Sequence, residues 1–308
     1  MEHLPVLLEE VLQALAIQPD GIYVDCTFGR GGHSRAILDR LGANGRLIAL
    51  DRDADAIRSE AARELACDRR FILKKTPFSS LADIAEEENI MNQVDGILMD
   101  LGVSSPQLDT PERGFSFLCD GPLDMRMDDV SGPTAAEWLA QADEKEIVRV
   151  LFDYGEERFA RRIARAIVER RKIQPVATTR QLVDLINEAV PVKDKYKHPA
   201  TRTFQAIRIQ VNRELDELEC ALQGALAVLK PQGRLAVISF HSLEDRLVKR
   251  FIRAESGIKY DPGRLPIKEA DLMKGVLRKL GKPIKASDRE VSQNPRSRSA
   301  VLRVAEKR

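Results

Sequence analysis

The sequence predicts an α/β protein: a mostly parallel sheet with an antiparallel edge, interrupted by an all-helical insertion. Three observations carry this expectation. Short apolar runs alternate with helical patterns over the first hundred residues, the alternation gives way to helical patterns alone, and an apolar, β-rich run reappears before the C-terminus. Strands that alternate with helices are joined by crossovers and therefore pair in parallel.

The runs Gly21-Ile22-Tyr23-Val24-Asp25, Arg46-Leu47-Ile48-Ala49-Leu50-Asp51 and Asp95-Gly96-Ile97-Leu98-Met99-Asp100 are each short enough for a buried strand. Residues 34–41 and 53–65 between them read as helices, and Phe71-Ile72-Leu73 gives a weaker strand signal. After Gly102 a Pro- and Gly-rich stretch leads into helical patterns whose starts are marked by Thr134-x-x-Glu137 and Thr178-x-x-Gln181. Such pairs let the side chain at each end of the motif satisfy a backbone N–H at the other. A long amphipathic helix over about 211–229 comes next, then Pro231-Gln232-Gly233 as a turn and residues 234–240 as a strand. Residues 299–304 read as a last strand, with 275–278 as its antiparallel partner. The expected division is a discontinuous sheet domain, 1–105 and 209–308, and an inserted helical domain, 106–208.

Composition bounds the function classes. Apolar residues are 43% and charged residues 31%, with the two signs nearly cancelling at +1, which places the chain among soluble globular proteins. Affinity for nucleic acid would have to come from local clusters of Lys and Arg, because the total supplies none. Cys26, Cys67, Cys119 and Cys220 stand far apart with no His at ligand spacing, so neither a metal nor a disulfide framework is expected. The first ten residues are acidic where a secretory leader would be basic, and no run reaches the roughly 18 apolar residues of a membrane span. No membrane association and a cytoplasmic location are expected.

The sharpest local signal is Val24-Asp25-Cys26-Thr27-Phe28-Gly29-Arg30-Gly31-Gly32-His33, where a strand gives way to a helix. Glycines there let backbone N–H groups approach a ligand closely. Asp51, roughly twenty residues after Gly31 and at the end of the next strand, is placed to accept from both hydroxyls of a ribose. A dinucleotide oxidoreductase shares this geometry, but Gly29-x-Gly31-x-x-Ser34 lacks its third glycine. Asp25 would also repel a pyrophosphate, whereas it suits the cationic sulfonium of S-adenosylmethionine. Methyl transfer is the favoured chemistry. Asp100 closes a third strand, so three strand-end carboxylates converge where open parallel sheets bind ligands. Carboxylates that merely cap helices are the plainer reading.

With these blocks in view the sequence closely resembles the ribosomal RNA small subunit methyltransferase H family, also called MraW, over nearly its whole length. The carriers are the segment from Asp25 through Gly31-Gly32-His33-Ser34, then Asp100-Leu101-Gly102-Val103-Ser104-Ser105-Pro106-Gln107 and Gly114-Phe115-Ser116-Phe117. Gly121-Pro122-Leu123-Asp124-Met125-Arg126-Met127, Tyr154-Gly155-Glu156-Glu157-Arg158 and Ser239-Phe240-His241-Ser242-Leu243-Glu244-Asp245-Arg246 complete them. Cys26 stands where glycine would be expected, which matters only if that position needs positive φ. The resemblance implies a Rossmann-like class I methyltransferase domain interrupted by a helical domain. It implies N4-methylation of a cytidine in the decoding region of 16S small-subunit rRNA, with the rRNA or the small ribosomal subunit as partner. A homodimer is compatible with it. Cofactor contacts would fall on Gly31, Gly32, His33, Asp51, Phe78, Asp100 and Gln107; the Phe78 ring suits adenine, and is equally ordinary as a core residue.

The N4 lone pair of cytosine is delocalised into the ring, so alignment behind the methyl group is the main requirement. A carboxylate that accepts an N–H bond localises the lone pair, which makes Asp100 a candidate for catalysis as well as for cofactor binding. His241, just after the last parallel strand, is placed to contact base or phosphate, and equally to cap a helix. Basic residues gather in the insertion: Arg158, Arg161, Arg162, Arg165, Arg170, Arg171 and Lys172 crowd one helix whose Phe159, Ile163 and Ile167 face inward. A second group, Lys193, Lys195, Lys197, His198, Arg202 and Arg208, interleaves with Tyr196 and Phe204. From these, Arg161, Arg162, Arg165, His198, Arg202 and His241 are the candidate substrate contacts.

Overall fold

The computed structural model describes residues 5–192, 198–257 and 275–308. The chain forms two compact units, one running to Gly102 and resuming at Leu215, the other spanning Val103–Glu214.

The first unit is built on a seven-stranded sheet: β1 (Ile22–Asp25), β2 (Arg46–Asp51), β3 (Phe71–Lys75), β4 (Val94–Asp100), β5 (Leu229–Ser239), β6 (Leu277–Lys285) and β7 (Val301–Lys307). Their spatial order is β3-β2-β1-β4-β5-β7-β6. The pairs from β3 through β5 are parallel, and β7 then runs antiparallel to both β5 and β6. This is the Rossmann-like, class I methyltransferase sheet with its antiparallel edge. Consecutive side chains of a strand point to opposite faces, and both faces are covered. Val24, Ile48, Leu50, Ile97, Met99 and Val237 pack on one side with residues of α5 (Leu81–Glu87) and α12 (Glu214–Val228). Tyr23, Leu47, Ala49, Leu98 and Ile238 pack on the other with α1 (Leu8–Leu15) and α2 (Gly32–Leu38). Chain order runs outward from β1 to β3 and then returns to β4 beside β1. That reversal opens a crevice at the carboxyl ends of the strands.

Several element boundaries differ from expectation: α2 is Gly32–Leu38, β6 is Leu277–Lys285 and β7 is Val301–Lys307, and three further differences have a clear local reason. The helix expected over 53–65 is two short ones, α3 (Ala54–Ile57) and α4 (Glu60–Leu65), because Ser59 takes an extended backbone and its side chain accepts from the Ala62 N–H as a new cap. Residues 231–233 form an excursion within β5, with Gln232 at φ 67° and the pairing with β4 jumping from Val94↔Leu229 to Gly96↔Arg234. The helix expected from about 211 starts at Glu214, because Arg213 is left-handed at φ 51° and ends the preceding helix.

The second unit packs α6 (Ser105–Asp109), α7 (Ala135–Gln141), α8 (Glu144–Gly155), α9 (Ala160–Arg171), α10 (Thr179–Ala189) and α11 (Ala200–Asn212) around its own core, which includes Trp138, Leu151, Ile163, Ile167, Ile186 and Ile207. Thr134 and Thr178 form the expected reciprocal caps with Glu137 and Gln181. Buried Asn212 ties the irregular entry segment to α11, accepting from the Met127 N–H and donating to the Met125 carbonyl. Lys193, Lys195, Tyr196 and Lys197 lie outside the described residues. Among the described residues no helix is long and apolar enough to cross a membrane.

Candidate active site

The carboxyl ends of β1, β2 and β4 bring Asp25, Asp51 and Asp100 to the crevice edge, and the turn after β1 joins them. Asp25 is fully buried; it accepts from the Ser34 hydroxyl at 2.6 Å and from the Thr27 N–H at 3.1 Å. It therefore braces the turn from within. Asp51 accepts the Gly29 N–H at 2.7 Å on one oxygen and the Asp53 N–H at 2.8 Å on the other. A carboxylate oxygen has two acceptor positions, so each retains one for a ribose hydroxyl. Thr27 accepts the Asp100 N–H at 2.7 Å and so pins the end of β4 to the turn after β1.

Gly31 sits at φ 74°, and a Cβ there would lie 2.9 Å from the Phe28 ring, so glycine is needed for conformation and space. Gly32 begins α2 under Pro5, which a Cβ would strike at 2.3 Å. Cys26 is buried with no positive φ, and its N–H donates to Leu98 as the ladder continues. The absence of glycine at that position costs nothing.

The site is strongly acidic. Burial pushes the Asp51 carboxyl up to about 6, against the two backbone N–H bonds that hold it down. Burial raises Asp25, with the Ser34 hydroxyl opposing. Asp100 stands well above the usual carboxylate range, first through burial and then through the charges of Asp25 and Glu244. Among the described residues its Oδ1 is buried without a hydrogen-bond partner, and its Oδ2 lies 3.7 Å from His33 Nδ1. The His33 Nε2 meets the Val6 carbonyl at 3.0 Å, which assigns the ring proton to that nitrogen. Three raised carboxyl groups and an orphaned acceptor fit a ligand that is cationic and donates hydrogen bonds, as the sulfonium and ribose of S-adenosylmethionine would be.

Gly31, Gly32, His33, Asp51 and Asp100 are thus gathered on one edge. Phe78 follows β3 in a single 3-10 turn and is partly buried against the sheet core. His241 caps α13 (Ser242–Ser256): its Nδ1 accepts from the Glu244 N–H at 3.5 Å, and Glu244 in turn accepts from the Phe240 N–H at 2.8 Å. Thr27, Ser34 and Glu244 had no assigned role in the sequence. For Thr27 the available signal was its position two residues after an Asp, where an Asx turn forms.

The remaining candidates lie in the helical unit. Gln107 is buried and its Oε1 accepts from the Ser104 N–H, closing the first turn of α6. Arg161, Arg162 and Arg165 line an open cleft of about 540 Å³ between α9 and α10. They are exposed, and among the described residues none of their side chains makes a hydrogen bond or ion pair. Their neighbours are committed: Arg171 donates to the Leu139 and Ala142 carbonyls, Lys172 pairs with Glu169, and Arg170 donates to Gln174. His198 stacks on Phe117 at 4.8 Å, and Arg202 donates to the Glu156 carbonyl.

The chain is 58% identical over 307 residues to the ribosomal RNA small subunit methyltransferase H of Alteromonas mediterranea, an alignment covering 99% of this chain and 97% of the relative. It is 60% identical over 306 residues to the protein of the same name from Thioalkalivibrio sulfidiphilus, again covering 99% and 97%. The family model described as the MraW methylase family matches residues 1–308, and the chain therefore belongs to that family of S-adenosylmethionine-dependent methyltransferases.

Proposed function

We propose that this protein acts in the cytoplasm and transfers a methyl group from S-adenosylmethionine to the N4 amine of a cytidine in the decoding region of 16S rRNA. In this reading the inserted helical domain, residues 106–208, recognises the substrate. The relatives' names supply the rRNA, and one observation supports the amine: the buried Asp100 Oδ1 has no partner among the described residues. A buried acceptor left unpaired is costly, and an amine N–H donor would relieve that cost.

When bound, S-adenosylmethionine supplies an electrophilic methyl carbon on a sulfonium. Asp51 takes the ribose hydroxyls with its remaining acceptor positions, and the Gly31-Gly32 backbone lets the donor lie close to the end of β1. Phe78 offers a ring face to adenine, and Gln107 is a further contact. Asp100 Oδ1 accepts one N4–H, which localises the nitrogen lone pair toward the methyl carbon. Methylation of the amine would release one N4 proton, and Asp100 would receive it. A carboxyl raised by burial holds a proton more readily than an exposed one would.

The target base must leave its stack, which single-stranded loops make inexpensive. Arg161, Arg162 and Arg165 serve the phosphates, being the cations of α9 with no internal partner among the described residues; His198 and Arg202 extend that surface. Tritiated methyl transfer onto undermethylated small subunits, followed by nucleoside analysis, tests the reading. Label in N4-methylcytidine is expected, and label in any other nucleoside overturns it.

A further inference from the structure

The sheet unit contains a second cavity that the methylation chemistry does not use. It measures about 300 Å³ and opens between the C-terminal half of α13 and the edge strands β6 and β7. A volume of that size is at the lower end for small-ligand pockets, roughly 300–1,000 Å³. Ile252, Leu280 and Val304 supply apolar walls. Lys249 and Arg253 reach it from the helix, Lys279 and Lys282 from the strand. All four are exposed, and among the described residues none of their side chains makes an ion pair or hydrogen bond and no Asp or Glu lines the cavity. Arg303 is different: it is fixed by two bonds to Asp245 at 2.7 and 2.9 Å and forms a rigid wall.

Lysines, a proline and a bulge on an outermost strand have a simpler use, because they stop the edge from pairing with another sheet. That accounts for Lys279, Lys282 and Pro283. It does not account for Lys249 and Arg253, which belong to a helix and converge on the same cavity. Four cations kept unpaired around apolar walls suit a ligand with a flat, apolar body and flanking negative charges. A nucleotide within a single strand has that character, its base entering the cavity and its two phosphates meeting the rim.

We propose that this cleft is a second RNA-binding site, holding one unstacked nucleotide of a single-stranded stretch away from the target cytidine. The proposal rests on the reading of RNA as substrate and adds to it a surface on the sheet unit. Full-length wild type, the pair Lys249→Glu/Arg253→Glu and the milder pair Lys279→Ala/Lys282→Ala would be titrated with a short mixed-sequence single-stranded RNA over a range of salt. Each pair should weaken binding about tenfold or more at low salt, and the slope of log affinity against log salt should shrink by about 0.7 for each phosphate no longer neutralised. S-adenosylmethionine affinity, measured calorimetrically, should stay at the wild-type value and so show that the variants fold. RNA carrying 4-thiouridine should crosslink to the segment containing residues 279–283.

Unchanged RNA affinity and salt slope in both pairs, with cofactor binding intact, would overturn the proposal. So would tight binding of wild type to phosphatidylglycerol vesicles, lost in the variants, together with RNA binding that the variants retain. The two readings fail separately. Wild type that forms N4-methylcytidine while the variants bind RNA normally removes only the second site. Wild type that forms none, while the variants lose RNA affinity, removes only the cytidine reading.

Discussion

Acidification should expel the methyl donor through a single carboxylate, Asp51. Desolvation pushes its carboxyl up to about 6, and a ribose and sulfonium favour its ionised form. If the bound form titrates well below 5, donor binding must first remove a proton from every molecule protonated at the working pH. The apparent Kd then rises about twofold at pH 6 and about tenfold at pH 5, relative to pH 8. Folding carries the opposite sign. A carboxyl whose folded value lies above its unfolded one stabilises the fold at low pH, and that contribution is lost as the pH rises through about 6. Keeping Asp51 ionised at neutral pH therefore costs the donor-free protein about 3 kcal/mol. Calorimetric titration with S-adenosylmethionine from pH 8 to 5, on wild type and Asp51→Asn, reads both the slope and its source. The variant should bind more weakly at pH 8 and show a pH dependence shallower by about tenfold over the range. A wild-type Kd that is constant from pH 8 to 5, or an identical slope in the variant, would refute the assignment.

Three further perturbations address the other groups. Asp100→Asn should slow single-turnover methylation about 10²- to 10³-fold while donor affinity falls far less; equal losses in the two assays would make Asp100 a cofactor ligand only. Charge reversal of Arg161, Arg162 and Arg165 to Glu should weaken RNA binding and reduce the salt slope by about 0.7 per phosphate released, and an unaltered slope would assign that face to solvent. His241→Asn should keep the α13 cap and its stability, whereas His241→Ala should cost about 1 kcal/mol in urea unfolding. A methylation defect in the Asn variant at unchanged stability would show that the imidazole also serves the substrate.

The sequence reported most reliably where a signal is local. Apolar runs marked β1, β2 and β4 because a strand buried on both faces needs little else. The caps at Thr134 and Thr178 were readable because both partners lie three residues apart. Asp51 and Asp100 were legible as carboxylates at the ends of β2 and β4, because apolar runs lead directly into them. Local signals also misled: residues 53–65 carry one helical pattern, but Ser59 finds the Ala62 N–H and divides it. Pro231-Gln232-Gly233 is turn-like in composition, yet pairing on both sides keeps it within β5.

What the tertiary structure alone decided involves partners far apart in the chain. The sequence placed three carboxylates at three strand ends, but only packing could raise their proton affinities, because desolvation depends on neighbours supplied by other elements. Likewise the run of cations on α9 is uniform in sequence, and only the fold separates Arg171, spent on carbonyls of α7 and the residue after it, from Arg161, Arg162 and Arg165. The basic cavity beside α13 was invisible for the same reason: Lys249 and Lys282 are distant in sequence, and only the pairing of β6 with β7 beneath that helix sets them around one space.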